Sequence, residues 1–373
     1  MDSKIITLVV LSNEKAQVLK MLLENEGIEC FIEHQNLIQG AVAMGVNVMI
    51  KEEDFSKALP ILESLMHDKL QLEKALVEKK SDDKGRILLP IDFSDYSRKA
   101  ADFAIDLAQK VGAEITVFHT FYDPMLNTLP FPDTFMYNVN TEELVLEIQE
   151  KAEEGMTEFK KYIEGKNAEL GENKVALKYE MTKGIAEEEI VSFSKEYEPW
   201  LIIMGTRGKD RKSIDLIGSV TAEVIEMSKY PILVIPEDFD YKGLENIKNV
   251  LYTTSFDEAD FKALDILEKF LRPWNVKIIC VHVEAKDHPK WDEVRMAGLN
   301  EYMKKTYKDT DVVCDLIESD DFLEGIEDYV KKHKIDFISI TTKRRSFISR
   351  MFNPSVARKM LFHSTTPMLV FHS

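Results

Sequence analysis

Cysteine is scarce in this chain: three residues in 373, at positions 30, 280 and 314. An odd and sparse set fits a reducing cytoplasm rather than a disulfide framework. The three share no short metal-type spacing. Each lies in an apolar, strand-like run, so all three read as small core residues. Long apolar runs are missing too. The run IITLVVL near the N-terminus is too short for a membrane span or a signal-peptide core, and acidic residues follow at once. No other stretch is long enough to cross a bilayer, and the expected location is the cytoplasm. Positive charge is the third shortage. Lys and Arg number 48 against 66 Asp and Glu, a net charge of -18, which counts against non-specific nucleic-acid binding because that needs a basic surface. His119 and His282 end apolar strands with no carboxylate or cysteine at ligand-like spacing, so both read as structural. What is present is an ordinary globular balance, 45% hydrophobic and 31% charged, on a length suited to two or three domains.

Three segments emerge along the chain. Residues 1–66 alternate strand, helix, strand, strand, helix: strands at 4–11, 28–32 and 46–50, a helix over 14–26 with Gly27 as its C-cap, and a helix over 54–66. Residues 67–84 are dense in charge and read as a helix running into a linker. From residue 85 to 238 the pattern is strand 86–91, helix 94–111, strand 114–119, helix 141–164, strand 175–180, helix 186–197, strand 201–204, helix 219–228 and strand 232–235. Strands alternating with amphipathic helices mean right-handed crossovers and a mostly parallel sheet. Runs such as ILLPI and PILVI suit a sheet covered on both faces. Residues 244–373 repeat this unit. RILLPIDFS aligns with NVLYTTSFD, and ITVFHTF with IICVHVE, at one offset that carries Ile87 to Val250 and His119 to His282.

Chemistry concentrates in residues 204–221, MGTRGKDRKSIDLIGSVT, which leave a buried strand and enter a helix. Ligands of open parallel sheets sit beyond the carboxyl ends of strands. Gly205 and Gly208 let a backbone approach closely. Gly218 and Ser219 stand at a helix start, where free N–H groups and the dipole favour phosphate, and the hydroxyls of Ser219 and Thr221 can add donors. Ile203 and Asp210 occupy positions that a Walker A loop gives to Gly and to Ser or Thr, so the stretch is not that motif. Lys209, Arg211 and Lys212 can pair with phosphate or form a solvated turn. Asp92 can also cap the helix that follows. The apolar loop 122–140 is long enough to be functional.

The spacing of Gly, two residues, Gly, nine residues, Gly-Ser, followed by Val-Thr, resembles the ATP-binding signature of the universal stress protein family. The likeness extends over both repeats and includes PIDFSDYSRKA near the start of the first. The resemblance implies two tandem Rossmann-like parallel-sheet α/β domains, preceded by a small α+β domain. It also implies bound ATP, with Mg²⁺ on its phosphates. Pro90, Asp92 and Thr120 would lie near adenine and ribose, and Met204 and Gly205 beside the ribose. Gly208, Gly218, Ser219, Val220 and Thr221 would face the phosphates. Residues 1–66, through AQVLKMLLENEGIECFIEHQN followed by VNVMIKEEDFSKALPIL, resemble a small signal-transducing domain of ferredoxin-like or ACT-like shape.

The second repeat departs from the signature. Thr341, Arg344 and Pro354 replace the three glycines, Ser255 replaces Asp92, and Ser355 and Val356 persist. It reads as a degenerate partner domain that pairs with the first repeat inside one chain. The overall expectation is a cytoplasmic, nucleotide-responsive regulatory protein acting through an unnamed protein partner, with homo-oligomers open. The rival readings are a slow ATP hydrolase or nucleotidyl-transfer enzyme, for which Asp210 and Asp215 are the nearby carboxylates, and a structural module with a vestigial loop. A flavin-binding version is more distant.

Overall fold

Short apolar strands followed by amphipathic helices fold here as their periodicity directs. The structure, a computed structural model, describes residues 5–11, 13–34, 46–55, 57–58, 61–62, 85–122, 141–206, 219–236, 238–256, 258–284, 291–307, 310–342 and 365–372. The chain divides into two compact units, Met1–Asp83 with Asn249–Lys334, and Lys84–Lys248 with Ile335–Ser373.

The first of these units carries a three-stranded antiparallel sheet of β1 (Ile5–Leu11), β2 (Cys30–His34) and β3 (Val46–Lys51), in the order β1-β3-β2. Helix α1 (Asn13–Asn25) buries Ala16, Leu19 and Leu23, one helical stripe, against Ile6, Val48 and Ile50. Gly27 (φ 77) closes the helix as expected, with its N–H on Glu24 O and the Ile28 N–H on Leu23 O, the hydrogen-bond pair of a Schellman cap. The expected second helix opens with a 3₁₀ turn at Glu52–Asp54, and its C-terminal end lies outside the described residues.

The same unit holds part of the second repeat: β9 (Asn249–Thr253), β10 (Lys277–Glu284) and β11 (Asp311–Glu318), parallel in the order β11-β10-β9. Later in the chain order than the helices named below for the first repeat are α6 (Glu258–Leu271), α7 (Trp291–Thr306) and α8 (Phe322–His333). Arg295 of α7 donates from Nε and Nη2 to the Thr7 carbonyl at 3.0 and 2.7 Å. Thr7 lies where the β1–β3 register slips, and β1 is an edge strand, so the guanidinium takes up an outward-facing carbonyl.

The other unit contains β4 (Arg86–Ile91), α2 (Asp95–Val111), β5 (Glu114–Phe121), α3 (Thr141–Glu169), β6 (Leu177–Lys183), α4 (Ala186–Tyr197), β7 (Leu201–Thr206), α5 (Ser219–Met227) and β8 (Ile232–Pro236). It also contains β12 (Phe337–Thr342) and β13 (Met368–His372). Its strands run in the order β12-β13-β8-β7-β4-β5-β6. Neighbours are parallel except β13 and β8, which pair antiparallel through Met368–Val234, Leu369–Leu233 and Val370–Ile232. The closing strands of the two repeats therefore join within one chain. Every residue of β8 is buried, as a strand covered on both faces requires.

Several boundaries differ from the sequence reading by a few residues, and two of these have a clear local cause. The strand expected from residue 175 begins at Leu177, because Asn167 clamps Val175 first: its amide bonds both Val175 O (2.9 Å) and Val175 N (2.8 Å). Helix α3 runs on past Gly165 to Glu169 and stops before Gly171, whose φ of 62 is left-handed. No helix among the described residues is long and apolar enough to cross a membrane.

Candidate functional site

In the first repeat the chain steps outward from β4 to β5 to β6, then returns to lay β7 on the other side of β4. That reversal is a topological switch point, where the loops leave in opposite directions and open a crevice. The pairing reflects it. β4 stays in register with β5 through Ile91–His119, whereas its pairing with β7 ends at Leu88–Ile202. Both strands continue, to Ile91 and Thr206.

The candidate residues collect at these ends. Pro90 is buried one residue before the end of β4, and Asp92 follows the strand at the surface. Thr120 lies one residue beyond His119 on β5, level with Asp92. Met204, 4% exposed, and Gly205 stand on the terminal stretch of β7. The hydroxyls of Thr120 and Thr206 are buried and have no hydrogen-bond partner among the described residues. Ser219 opens α5, with Val220 half-buried behind it. Gly208, Gly218 and the basic run between them lie outside the described residues. So do loop residues 123–140, and Arg344, Pro354, Ser355 and Val356 of the second repeat.

Asp92 is the hub of the turn between β4 and α2. Its carboxylate accepts from the Ser94 N–H (3.1 Å), the Ser94 hydroxyl, Ser97 Oγ (2.6 Å) and Tyr96 OH (2.8 Å). Crowding strips water from the carboxylate, which by itself raises its pKa. The hydrogen bonds from Ser94, Ser97 and Tyr96 outweigh that and hold it below the ordinary value. The helix cap is Ser94, whose side chain accepts from the Ser97 N–H. The capping role that the sequence allowed Asp92 thus falls to its neighbour, and Asp92 braces the cap from behind.

Between Asp92 and α2 stands Phe93, with a left-handed φ of 66. Its ring lies 4.1 Å from that of His119, and Gly155 of α3 leaves room for it: a Cβ there would come within 2.7 Å of the ring. His119 Nδ1 bonds the Ile91 carbonyl at 2.8 Å. That contact makes Nδ1 the donor and leaves Nε2 as the acceptor of a neutral ring. Burial keeps the ring neutral, lowering its pKa against the opposing pull of Ile91 O and Asp92. The structural role expected for His119 is what the geometry shows, and His282 repeats it, bonding Thr254 O at 2.7 Å beside Phe256.

Two site residues do more local work than their types suggested. Gly205 lacks a Cβ because the backbone of α2 fills that place: a Cβ would meet Tyr96 O at 2.6 Å and Tyr96 C at 2.8 Å. Thr221, 4% exposed, donates its hydroxyl to Gly205 O at 3.1 Å. Its hydrogen ties α5 to β7 and is not left over for a ligand, contrary to the donor role anticipated for it.

The second repeat holds a feature that the alignment contained but did not reveal. The offset that carries Asp92 to Ser255 also carries Ser97 to Asp260, so carboxylate and hydroxyl exchange places. Asp260, 5% exposed, accepts from Ser255 N (2.7 Å), Ser255 Oγ (3.3 Å) and Thr254 Oγ1 (2.9 Å). The turn keeps its internal bonding while its carboxylate moves from the exposed strand end into the buried helix. Applying the offset to Ser97 would have found the exchange in the sequence.

Comparison with known proteins agrees with this architecture. A sequence model described as "Universal stress protein family" matches residues 84–236 and 246–372. One described as "Putative prokaryotic signal transducing protein" matches residues 10–66. Universal stress protein MJ0531 of Methanocaldococcus jannaschii is 32% identical over 151 residues, spanning 40% of this chain and 81% of that protein. Universal stress protein YxiE of Bacillus subtilis is 28% identical over 157 residues, 40% of this chain and 98% of its own length. The crystal structure of a universal stress protein from Archaeoglobus fulgidus matches with a TM-score of 0.61 at 20% identity, covering 78% of this chain and 99% of that one, a likeness of fold. With the family pattern matched across both repeats, the chain belongs to the universal stress protein family.

Proposed function

We propose that the first repeat binds ATP at the switch point and that the protein acts in the cytoplasm as a nucleotide-responsive regulator. The observation that carries this reading is the early end of the β4–β7 pairing at Leu88–Ile202, with the candidate residues gathered where the two strands part. Unpartnered hydroxyls at Thr120 and Thr206 suit a polar ligand there, since buried donors without partners are costly. Adenine and ribose would lie against Pro90, Asp92, Thr120 and Met204. The phosphates would meet the backbone N–H groups of Gly208, Gly218, Ser219 and Val220, where the dipole of α5 favours negative charge. Mg²⁺ would arrive on the phosphates.

The second repeat is read as empty of nucleotide. Its carboxylate has withdrawn into the helix at Asp260, and Thr341, Arg344 and Pro354 stand where glycines would cradle phosphate. The test is calorimetric titration with ATP and Mg²⁺. One site per chain is expected, weakened at least about tenfold, or 1.4 kcal/mol, by Gly208→Val. A ligand at 100 times its dissociation constant adds about 2.7 kcal/mol of stability, so the melting temperature should rise with ATP. Two sites, or no binding and no thermal shift at millimolar ATP, would refute the reading.

A further inference from the structure

Cys280 and Cys314 lie 34 residues apart in sequence but stand opposite each other in the parallel pairing of β10 and β11. Both are free. Registered neighbours on adjacent strands point to the same face, and strands lie about 4.8 Å apart. That spacing falls inside the roughly 4.4–6.8 Å between Cα atoms that a disulfide spans. The two side chains therefore stand side by side on one face, and each thiol bears on the other's proton.

Their surroundings differ in a useful way. Cys280 is fully buried, and its thiol is held well above its ordinary value by the Cys314 thiol beside it and by burial. Cys314 is partly exposed on β11, an edge strand of the sheet. The Cys280 thiol beside it lowers its pKa, burial opposes this, and the Lys304 ammonium lowers it further. The third cysteine is a built-in control: Cys30 is buried, and burial pushes its thiol up to about 11.

We propose that Cys280 and Cys314 form a peroxide-sensitive thiol pair, in which Cys314 meets the oxidant and Cys280 resolves it. The Cys314 thiolate attacks one oxygen of hydrogen peroxide. The O–O bond breaks, hydroxide departs and is protonated to water, and Cys314 becomes a sulfenic acid. The Cys280 sulfur then attacks the Cys314 sulfur; its proton goes to the departing hydroxyl, which leaves as a second water. Two thiols and one peroxide thus become one disulfide and two waters, the sulfurs giving up the two electrons that the O–O bond takes. The disulfide closes the crossover that contains α7.

The experiment uses the full chain, reduced and freed of reductant, then exposed to hydrogen peroxide. Titratable thiols under denaturing conditions should fall from three to one, the survivor being Cys30. Peptide mapping should join Cys280 to Cys314, and dithiothreitol should restore all three thiols. Cys280→Ser should trap Cys314 as a sulfenic acid captured by dimedone, and Cys314→Ser should leave its remaining thiols unoxidised at the same dose. Three surviving thiols, Cys30 reacting as fast as Cys314, a cross-link between chains, or Cys314 passing to sulfinic acid without a disulfide would each overturn the proposal.

Discussion

Gly205→Ala separates a packing role from a ligand role at one atom. The new Cβ would fall 2.6 Å from Tyr96 O, 2.8 Å from Tyr96 C and 3.2 Å from Ser97 N. All three are backbone atoms in the first turn of α2, and that turn is anchored by the Ser94 cap and by the hydroxyls gathered on Asp92. A flexible side chain could swing aside; this backbone cannot move without breaking those bonds. Overpacking of this kind costs about 1–3 kcal/mol. The loss of glycine's unfolded-state freedom returns about 0.5–1 kcal/mol, so the net change is a loss of up to about 2.5 kcal/mol, near 1 kcal/mol at the middle of both ranges. For a domain of about 150–250 residues each kcal/mol lowers the melting temperature by about 2–4 °C. Calorimetry without nucleotide should therefore show a drop of a few degrees. A variant as stable as the parent that nevertheless loses ATP would refute this account and return Gly205 to the ligand.

Three further outcomes follow from the same turn. Gly155→Ala should destabilise, although alanine is the better helix former by about 1 kcal/mol, because its Cβ would come within 2.7 Å of the Phe93 ring; near-ultraviolet circular dichroism and urea unfolding would show it. Asp92→Asn should cost about 1 kcal/mol at neutral pH. The folded pKa of Asp92 lies below its ordinary 3.8, so the parent's advantage is complete above about pH 4 and fades as pH falls through the depressed value; urea midpoints that differ equally at pH 7 and pH 2 would contradict it. For His119 the folded pKa lies below 6.5, so the unfolded chain binds its proton first and the parent loses stability as pH drops below 6.5. His119→Asn should lose less over that range, and parallel pH profiles for the two proteins would exclude burial of a neutral ring.

Much of the fold was legible without coordinates. The strand and helix order of the first repeat, the C-cap at Gly27 and the internal offset all follow from periodicity and local chemistry, because burial on one face of a helix or on both faces of a strand imprints the apolar pattern directly. The placement of Pro90, Asp92, Thr120 and Met204 near one end of a sheet followed from their positions at strand termini. What sequence alone left open depends on which distant segments become neighbours. Sheet order sets Cys280 against Cys314, and it joins β8 to β13 antiparallel. The approach of α2 to β7 gives Gly205 a packing reason that its glycine-rich surroundings disguised. The exchange of carboxylate and hydroxyl between Asp92–Ser97 and Ser255–Asp260 acquires meaning once both side chains are seen to meet across a turn. Local patterns record how much each residue is buried, whereas register and crossover decide against what, and that second choice is made by the packing of the whole unit.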